Sequence, residues 1–192
     1  MRGRAMIEKN ESVLLIIDFQ QTFLDKIRVE ESDQLVRKAC WLIEVAHCLD
    51  IPIIYCVEDG RYPTLVEPLR RHVGSSAVIR KTFFSVAREK SFLSALSATS
   101  RRSLVLIGFE TDVCIAQSAL GLATQGYTVA VVEDVMHAPG DGQRQGLERM
   151  SRAGISVLSL RALYYEWMAD VATERTFRQE RDDLYSEQIV IF

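Results

Sequence analysis

The chain has 192 residues, and its 23 lysines and arginines against 26 aspartates and glutamates give a formal net charge of −3. This balance argues against a nucleic-acid partner, because nucleic-acid binding depends on an excess of basic side chains. Apolar residues make up 48% and charged residues 26% of the chain, as in an ordinary globular protein. The length predicts a single domain over residues 1–192.

No apolar run approaches the roughly 18 residues that a membrane helix requires, so we expect no membrane partner. Residues 1–10 carry charge but have no apolar stretch of signal-peptide length behind them. These features predict a cytoplasmic protein. We therefore expect its four cysteines to be reduced thiols rather than two disulfides. They are Cys40, Cys48, Cys56 and Cys114.

Short apolar runs alternate with segments of helical periodicity, which is typical of βαβ units in a parallel sheet. We predict six strands, at residues 13–17, 53–57, 77–79, 104–107, 128–132 and 155–160. The predicted helices lie at residues 33–49, 89–98, 112–125, 143–153 and 161–169. The expected fold is a three-layer α/β structure, a doubly wound parallel sheet with helices on both faces, and its core spans residues 12–168.

The expected tail, residues 169–192, is dense in charge over residues 173–186 and is either helical or loose there. Its last four residues, 189–192, are all apolar. Two explanations for them remain open, a contact between subunits and docking on the tail's own domain.

Two reactive side chains follow strands that neighbour each other in the usual order of a doubly wound sheet. Asp18 ends the first strand and Cys114 comes shortly after the fourth, near the start of a helix. Ligands bind where strand order reverses, between these two strands. Each residue taken alone has an ordinary structural explanation, a turn or cap for the aspartate and a small apolar filler for the cysteine. Together they predict a site.

Lys81 follows the third strand at the same end of the sheet, beside Phe83 and Phe84. A cation and a helix N-terminus both lower the pKa of a thiol, and a thiol becomes a strong nucleophile only when ionised. A lysine before two aromatic residues is also a common surface feature. At this position Lys81 is a candidate partner for the Cys114 thiol.

At these residues the sequence resembles the isochorismatase-like cysteine hydrolases, a superfamily that includes nicotinamidases and carbamoyl-amide hydrolases. The resemblance covers about residues 12 to 168. It rests on residues 14–20 (LLIIDFQ) with Phe23, residues 80–85 (RKTFFS), and residues 105–115 (VLIGFETDVCI) with residues 118–120. Residues 61–66, 69–70 and 147–150 look like a subgroup of isochorismatase-domain-containing proteins whose substrates are largely undefined.

The resemblance implies a catalytic set of Asp18, Lys81 and Cys114. It also implies an oxyanion hole formed by the backbone amides of Glu110 and Cys114, and a cis peptide bond between Phe109 and Glu110. A non-proline cis bond costs about 3–4 kcal/mol and persists only where its surroundings enforce it. The implied activity is hydrolysis of a small carboxamide or carbamoyl substrate through a thioester on Cys114.

The sequence departs from the nicotinamidases in the loop after the second strand. Nicotinamidases carry a metal-binding Asp-x-His there, whereas residues 58–64 of this chain read EDGRYPT and the next histidine is His72. We therefore predict no metal and no other cofactor, and nicotinamidase becomes a minor alternative. Isochorismatases proper lack the nucleophilic cysteine, so Cys114 argues against that reaction as well.

The pocket walls are less specific. Candidate lining residues are Gln20, Phe23, Tyr62, Phe83 and Phe84, because a small planar acyl group favours aromatic walls, although plain packing explains each of them equally well. The main alternative is a catalytically weak or inactive binding or scaffold protein with the same fold. A redox role for Cys114 ranks lower, since no resolving cysteine lies close in sequence. Relatives form dimers to octamers, so a homo-oligomer is expected.

Overall fold

The computed structural model describes residues 6–60, 62–74 and 76–185. Its six strands are β1 (Ser12–Ile17), β2 (Ile53–Glu58), β3 (Val78–Lys81), β4 (Ser103–Phe109), β5 (Thr128–His137) and β6 (Ser156–Leu158). Its helices are α1 (Gln21–Leu24), α2 (Val29–Cys48), α3 (Glu67–Arg70), α4 (Lys90–Ala98), α5 (Ala116–Thr124), α6 (Gly142–Arg152), α7 (Leu160–Met168) and α8 (Val171–Glu180). Short 3-10 turns lie at Lys9–Glu11, Val86–Arg88 and Asp182–Tyr185, and a π-helical turn lies at Thr111–Ile115.

The strands form one sheet in the order β3-β2-β1-β4-β5-β6, with every neighbouring pair parallel. Strand order reverses between β1 and β4, where Ile17 is in register with Gly108. The prediction of a six-stranded, doubly wound parallel sheet is confirmed. The carboxyl ends of β1 and β4 therefore open side by side, which is where such folds bind ligands.

β1 is buried on both faces, which explains why its sequence is a continuous apolar run rather than an alternating one. Leu14 and Ile16 pack into a core with α2, α7 and α8, whereas Val13, Leu15 and Ile17 pack into a second core with α4, α5 and α6. Two apolar layers thus hold the central strands in place. Within the described residues, no helix is both long and apolar enough to cross a membrane.

Several element boundaries differ from the prediction. β5 extends to His137 rather than ending near residue 132, and β6 covers only Ser156–Leu158. In the added second half of β5, Asp134 is held by Lys38 at 2.8 Å and accepts a hydrogen bond from the Leu160 amide. β6 is short because Ser159 already caps α7 by accepting a hydrogen bond from the Ala162 amide.

The described part of the tail is helical. Asp170 accepts hydrogen bonds from the amides of Ala172 and Thr173 and so starts α8. Phe177 of this helix is buried against the ring of Tyr164 in α7. The apolar residues 189–192 lie outside the described residues.

Candidate active site

Asp18, Lys81 and Cys114 meet at the carboxyl edge of the sheet. Lys81 Nζ lies 2.8 Å from Asp18 Oδ2 and donates to Cys114 Sγ at 3.4 Å. The side chains of Asp18 and Lys81 are 0% exposed, and Cys114 is 1% exposed. Three polar groups that are far apart in sequence therefore lie together in one buried site.

Each of the three is positioned by the end of a strand. Asp18 directly follows β1 in a left-handed conformation, with φ of 58°. Lys81 is the last residue of β3. Cys114 lies in the π-helical turn after β4, where the Ile115 amide donates to the Glu110 carbonyl at 3.1 Å. Left-handed non-glycine residues and π turns both occur preferentially at functional sites, because they aim side chains that regular structure would direct elsewhere.

Glu58 is a fourth ionisable residue in the same cluster and is not among the site residues predicted from the sequence. Its Oε2 lies 3.8 Å from Lys81 Nζ. One of its carboxyl oxygens lies within 4.8 Å of a carboxyl oxygen of Asp18 and of Cys114 Sγ. Its side chain is 40% exposed, so it faces the solvent side of the site. The feature that could have identified Glu58 as a site residue is its position at the end of β2, the strand beside β1 in the sheet.

Burial raises the pKa of Asp18 to about 6, against the opposing charge of Lys81. The two are in contact as an ion pair. Among the residues that the structure describes, however, neither carboxyl oxygen of Asp18 accepts a hydrogen bond of normal geometry. Buried carboxyl oxygens without donors are unusual. Oδ2 already faces the Lys81 ammonium at 2.8 Å, so Oδ1 is the oxygen left available to the thiol proton.

Burial alone would lower the pKa of Lys81, but the charge of Asp18 and the contacts with Asp18 and Cys114 outweigh it and raise that pKa. The ammonium form is therefore the stable one. Burial, together with the charge of Asp18, raises the pKa of Cys114 to about 12, although Lys81 opposes the shift. Lys81 lowers this pKa as expected, but burial and the charge of Asp18 outweigh it, so the net shift is the reverse of the expected one and the buried thiol keeps its proton.

Asp18, Glu58 and Cys114 have the ligand types and spacing of a possible metal site. Lys81 Nζ lies 2.8, 3.8 and 3.4 Å from their respective ligand atoms. The ammonium thus places one positive charge beside all three groups. His72 is paired with Glu44 at 2.8 Å instead of joining the cluster.

The peptide bond between Phe109 and Glu110 is trans, as are the other peptide bonds of the described residues. The prediction of a cis bond there is wrong. The chain turns instead through the left-handed backbone of Glu110, with φ of 58° and ψ of 65°. Its side chain reaches out of the turn to Lys26, whose Nζ lies 2.7 Å from Glu110 Oε1. The oxyanion role of the Glu110 and Cys114 amides stays a prediction.

Gln20 is a structural residue of the site. Its side-chain oxygen accepts from the Glu58 amide at 2.7 Å, and its Nε2 donates to the carbonyls of Glu58 and Tyr62 at 3.1 and 3.0 Å. These contacts fasten the end of β2 and the following loop to the segment after β1. The Gln20 side chain therefore already has partners on both ends of its amide.

The predicted aromatic wall divides into buried and exposed members. Phe23 is buried and stacks on Phe109 at 6.2 Å between ring centroids. Tyr62, Phe83 and Phe84 are 52%, 40% and 56% exposed. Phe23 supports the turn that carries Glu110, and contact between the other three and a substrate remains a prediction.

Comparisons with known proteins identify the family of the chain. A family model described as Isochorismatase domain matches residues 12–162. Isochorismatase domain-containing protein 2 of Rattus norvegicus is 30% identical over 168 residues, which cover 84% of this chain and 75% of the rat protein. A match of this identity and coverage extends well beyond the site itself.

Solved structures share the fold. The YcaC gene product of Escherichia coli, described as an octameric hydrolase of unknown specificity, superposes with a TM-score of 0.82 at 24% identity, covering 96% of this chain and 95% of that one. N-carbamoylsarcosine amidase from Thermoplasma acidophilum gives a TM-score of 0.67 at 19% identity, covering 78% and 96%. At these identities, the likeness concerns the fold alone.

Proposed function

The chain belongs to the isochorismatase-domain family, and from that premise we propose that it is a cysteine hydrolase of a small carboxamide or carbamoyl compound. The reaction breaks a C–N bond through a thioester on Cys114. The observation that carries this proposal is the buried contact of Lys81 Nζ with both Asp18 and Cys114. A nucleophile, a base and a fixed cation in one water-poor site are the parts that such chemistry needs.

In the first half-reaction, Asp18 takes the thiol proton of Cys114, and the sulfur forms a bond to the substrate carbonyl carbon. Transfer of this proton leaves the net charge of the site unchanged. It also removes the charge of Asp18 that opposes ionisation of the thiol, while Lys81 stays beside the new thiolate. The raised pKa of Cys114 therefore makes proton transfer part of the attack, instead of a step that precedes binding.

Backbone amides of Glu110 and Cys114 would hold the oxyanion of the tetrahedral intermediate, and each such donor is worth roughly 2.7–4 kcal/mol in the transition state. Asp18 returns its proton to the leaving amine as the C–N bond breaks. In the second half-reaction, Asp18 takes a proton from water, the hydroxide attacks the thioester, and the C–S bond breaks. Asp18 then returns the proton to the sulfur.

We propose that neither a metal nor another cofactor takes part, because Lys81 supplies the positive charge at the centre of the carboxylate and thiol groups. A nicotinamidase of the metal-dependent type is a minor alternative. A homo-oligomer is part of the proposal and is supported by the octameric relative. So is a cytoplasmic location, since a catalytic thiol needs a reducing compartment.

The test is ammonia release from a panel of small carboxamides and carbamoyl compounds that includes nicotinamide, measured with and without a chelator. Cys114→Ala serves as the blank. Release that is insensitive to the chelator and lost in Cys114→Ala would support the proposal and identify the acyl group. Turnover by Cys114→Ala equal to that of the wild type would exclude covalent catalysis.

The second candidate is a binding or scaffold protein that keeps the family fold, and the raised pKa of the Cys114 thiol favours it. Reactivity separates the two. A live nucleophile should be alkylated by iodoacetamide faster at Cys114 than at Cys40, Cys48 or Cys56, even though Cys114 is nearly fully buried. Slow labelling of all four, without amide turnover, would favour the binding protein.

A further inference from the structure

The mechanism above leaves one charged group of the site without a task. Glu58 Oε2 lies 3.8 Å from Lys81 Nζ. One carboxyl oxygen of Glu58 lies within 4.8 Å of a carboxyl oxygen of Asp18 and of Cys114 Sγ. Asp18 already pairs with Lys81 at 2.8 Å, inside this buried centre. Glu58 differs from Asp18 because its side chain is 40% exposed. It therefore borders both the nucleophile and the solvent through which a substrate enters.

The position of Glu58 is held from two sides. Its backbone is in register with Lys81 in the parallel pairing of β2 and β3. Gln20 binds both its amide and its carbonyl, at 2.7 and 3.1 Å. Because this backbone is fixed by strand pairing and by a buried glutamine, Glu58 loses less conformational entropy on binding a ligand than a glutamate on a mobile loop does.

A substrate carbonyl attacked by Cys114 Sγ must bring its substituents within a few ångströms of the sulfur, and so next to Glu58. A carboxylate accepts hydrogen bonds but donates none, so it favours a substituent with N–H groups. A second carboxylate at the same position would meet like-charge repulsion from Glu58 and Asp18. At this edge of the sheet, Lys26 and Glu110 are paired with each other at 2.7 Å.

We propose that Glu58 is a specificity-determining residue that accepts a hydrogen bond from the N–H groups of a neutral or cationic amide substrate and disfavours substrates with a carboxylate beside the reacting carbonyl. This inference rests on the proposed function and narrows its substrate class. Primary amides and uncharged carbamoyl compounds fit the site, whereas N-carbamoyl derivatives of short amino acids fit poorly.

The experiment uses two alkylating agents of nearly equal size, iodoacetamide and iodoacetate, which differ in carrying a carboxamide or a carboxylate. The rate at which each agent modifies Cys114 is measured by peptide mass spectrometry. The iodoacetamide rate is divided by the iodoacetate rate, and this ratio is then divided by the same ratio measured for glutathione. The variant is Glu58→Gln. The matched control is Glu148→Gln, because Glu148 is an exposed glutamate on α6 that pairs with Arg144 and Arg152.

The normalised ratio isolates the effect of the Glu58 charge on the choice between a neutral and a negatively charged reagent. Any change that Glu58→Gln makes to the ionisation of Cys114 alters both rates equally and cancels. The normalised ratio should exceed one in the wild type and in Glu148→Gln, and it should fall about five- to fifteenfold in Glu58→Gln, as expected for one charge about 5 Å away in a partly hydrated site. An unchanged ratio in Glu58→Gln would overturn the proposal.

A second measurement needs no variant. Because Glu58 is partly exposed, the wild-type ratio should fall as salt is raised from 0.01 to 1 M, where the screening length shortens from about 30 to 3 Å. A salt-independent ratio would also count against Glu58 as the source of selection. The absolute rate at Cys114 and the release of ammonia test the hydrolase itself, so failure of that function is distinguishable from failure of this inference.

Discussion

The carbonyl oxygen of Ile17 lies 1.8 Å from the position that a Cβ atom on Gly108 would occupy. The two residues face each other across β1 and β4, one position before Asp18 on the first strand and one before Phe109 on the other. Gly108 also has a φ of 141°, which L side chains rarely adopt. Close approach of the two backbones brings the Asp18 turn and the Glu110 turn together at the site.

Gly108→Ala should therefore destabilise the protein by more than about 3 kcal/mol, because the new methyl group meets backbone and cannot be accommodated by a side-chain rotation. Denaturant unfolding measures the loss. Gly140→Ala is the control, since Gly140 has a φ of 56° but open space around it, and its cost should be only about 1 kcal/mol. Equal losses of stability in the two variants would show that the positive φ of Gly108, and not the clash with Ile17, causes the destabilisation.

Activity should fall below pH 6. Asp18 must be ionised to take the thiol proton, and its pKa is raised to about 6, so kcat/KM should drop about tenfold per pH unit below that value. Asp18→Asn should lower kcat/KM by about 10²–10⁴-fold at every pH. A variant that retains most activity would show that another group is the base.

The same shift has the opposite consequence for stability. Between pH 3.8 and about 6 the folded state holds a proton on Asp18 that the unfolded chain has released. The contribution of Asp18 to the free energy of unfolding is therefore largest below pH 3.8 and is lost as pH rises through about 6. The difference between the unfolding curves of wild type and Asp18→Asn across this range measures it. A contribution that grows with pH would contradict a raised pKa.

The pair of Lys26 with Glu110 should affect catalysis more than stability. Lys26 is half-exposed and Glu110 is 17% exposed, so loss of the pair by Lys26→Met should cost no more than about 1 kcal/mol. Because Glu110 lies in the turn proposed to hold the oxyanion, kcat should fall several-fold with KM little changed. Arg28→Met, which removes an exposed pair with Glu31, should leave kcat unchanged; an equal effect of both would exclude a positioning role for Lys26.

Gln20→Ala should loosen the end of β2. Removing the side chain leaves the Glu58 amide and the carbonyls of Glu58 and Tyr62 without this partner, at a cost of about 1–3 kcal/mol. Selection between iodoacetamide and iodoacetate at Cys114 should weaken as well, because Glu58 is less firmly placed. If stability falls while selection is unchanged, β2 alone is sufficient to position Glu58.

Much of the fold and the centre of the site could be predicted from the chain itself. Local patterns carry that information: residues 13–17 form an uninterrupted apolar run because β1 is buried on both faces. The strand order then follows from the general preference for parallel, doubly wound sheets. Since Asp18, Lys81 and Cys114 each lie at or just after the end of a strand, the same reasoning predicts that they meet, and they do.

The tertiary structure alone decided the features that depend on the distances between strands. It showed that Glu58 belongs to the site, that Gln20 holds Glu58 in place, and that the chain turns at Glu110 through a trans bond. It also reversed the expected direction of the pKa shift of Cys114. Helix position and a nearby cation are readable in sequence, but desolvation depends on how completely other elements cover the thiol, and that coverage exists only in the folded chain.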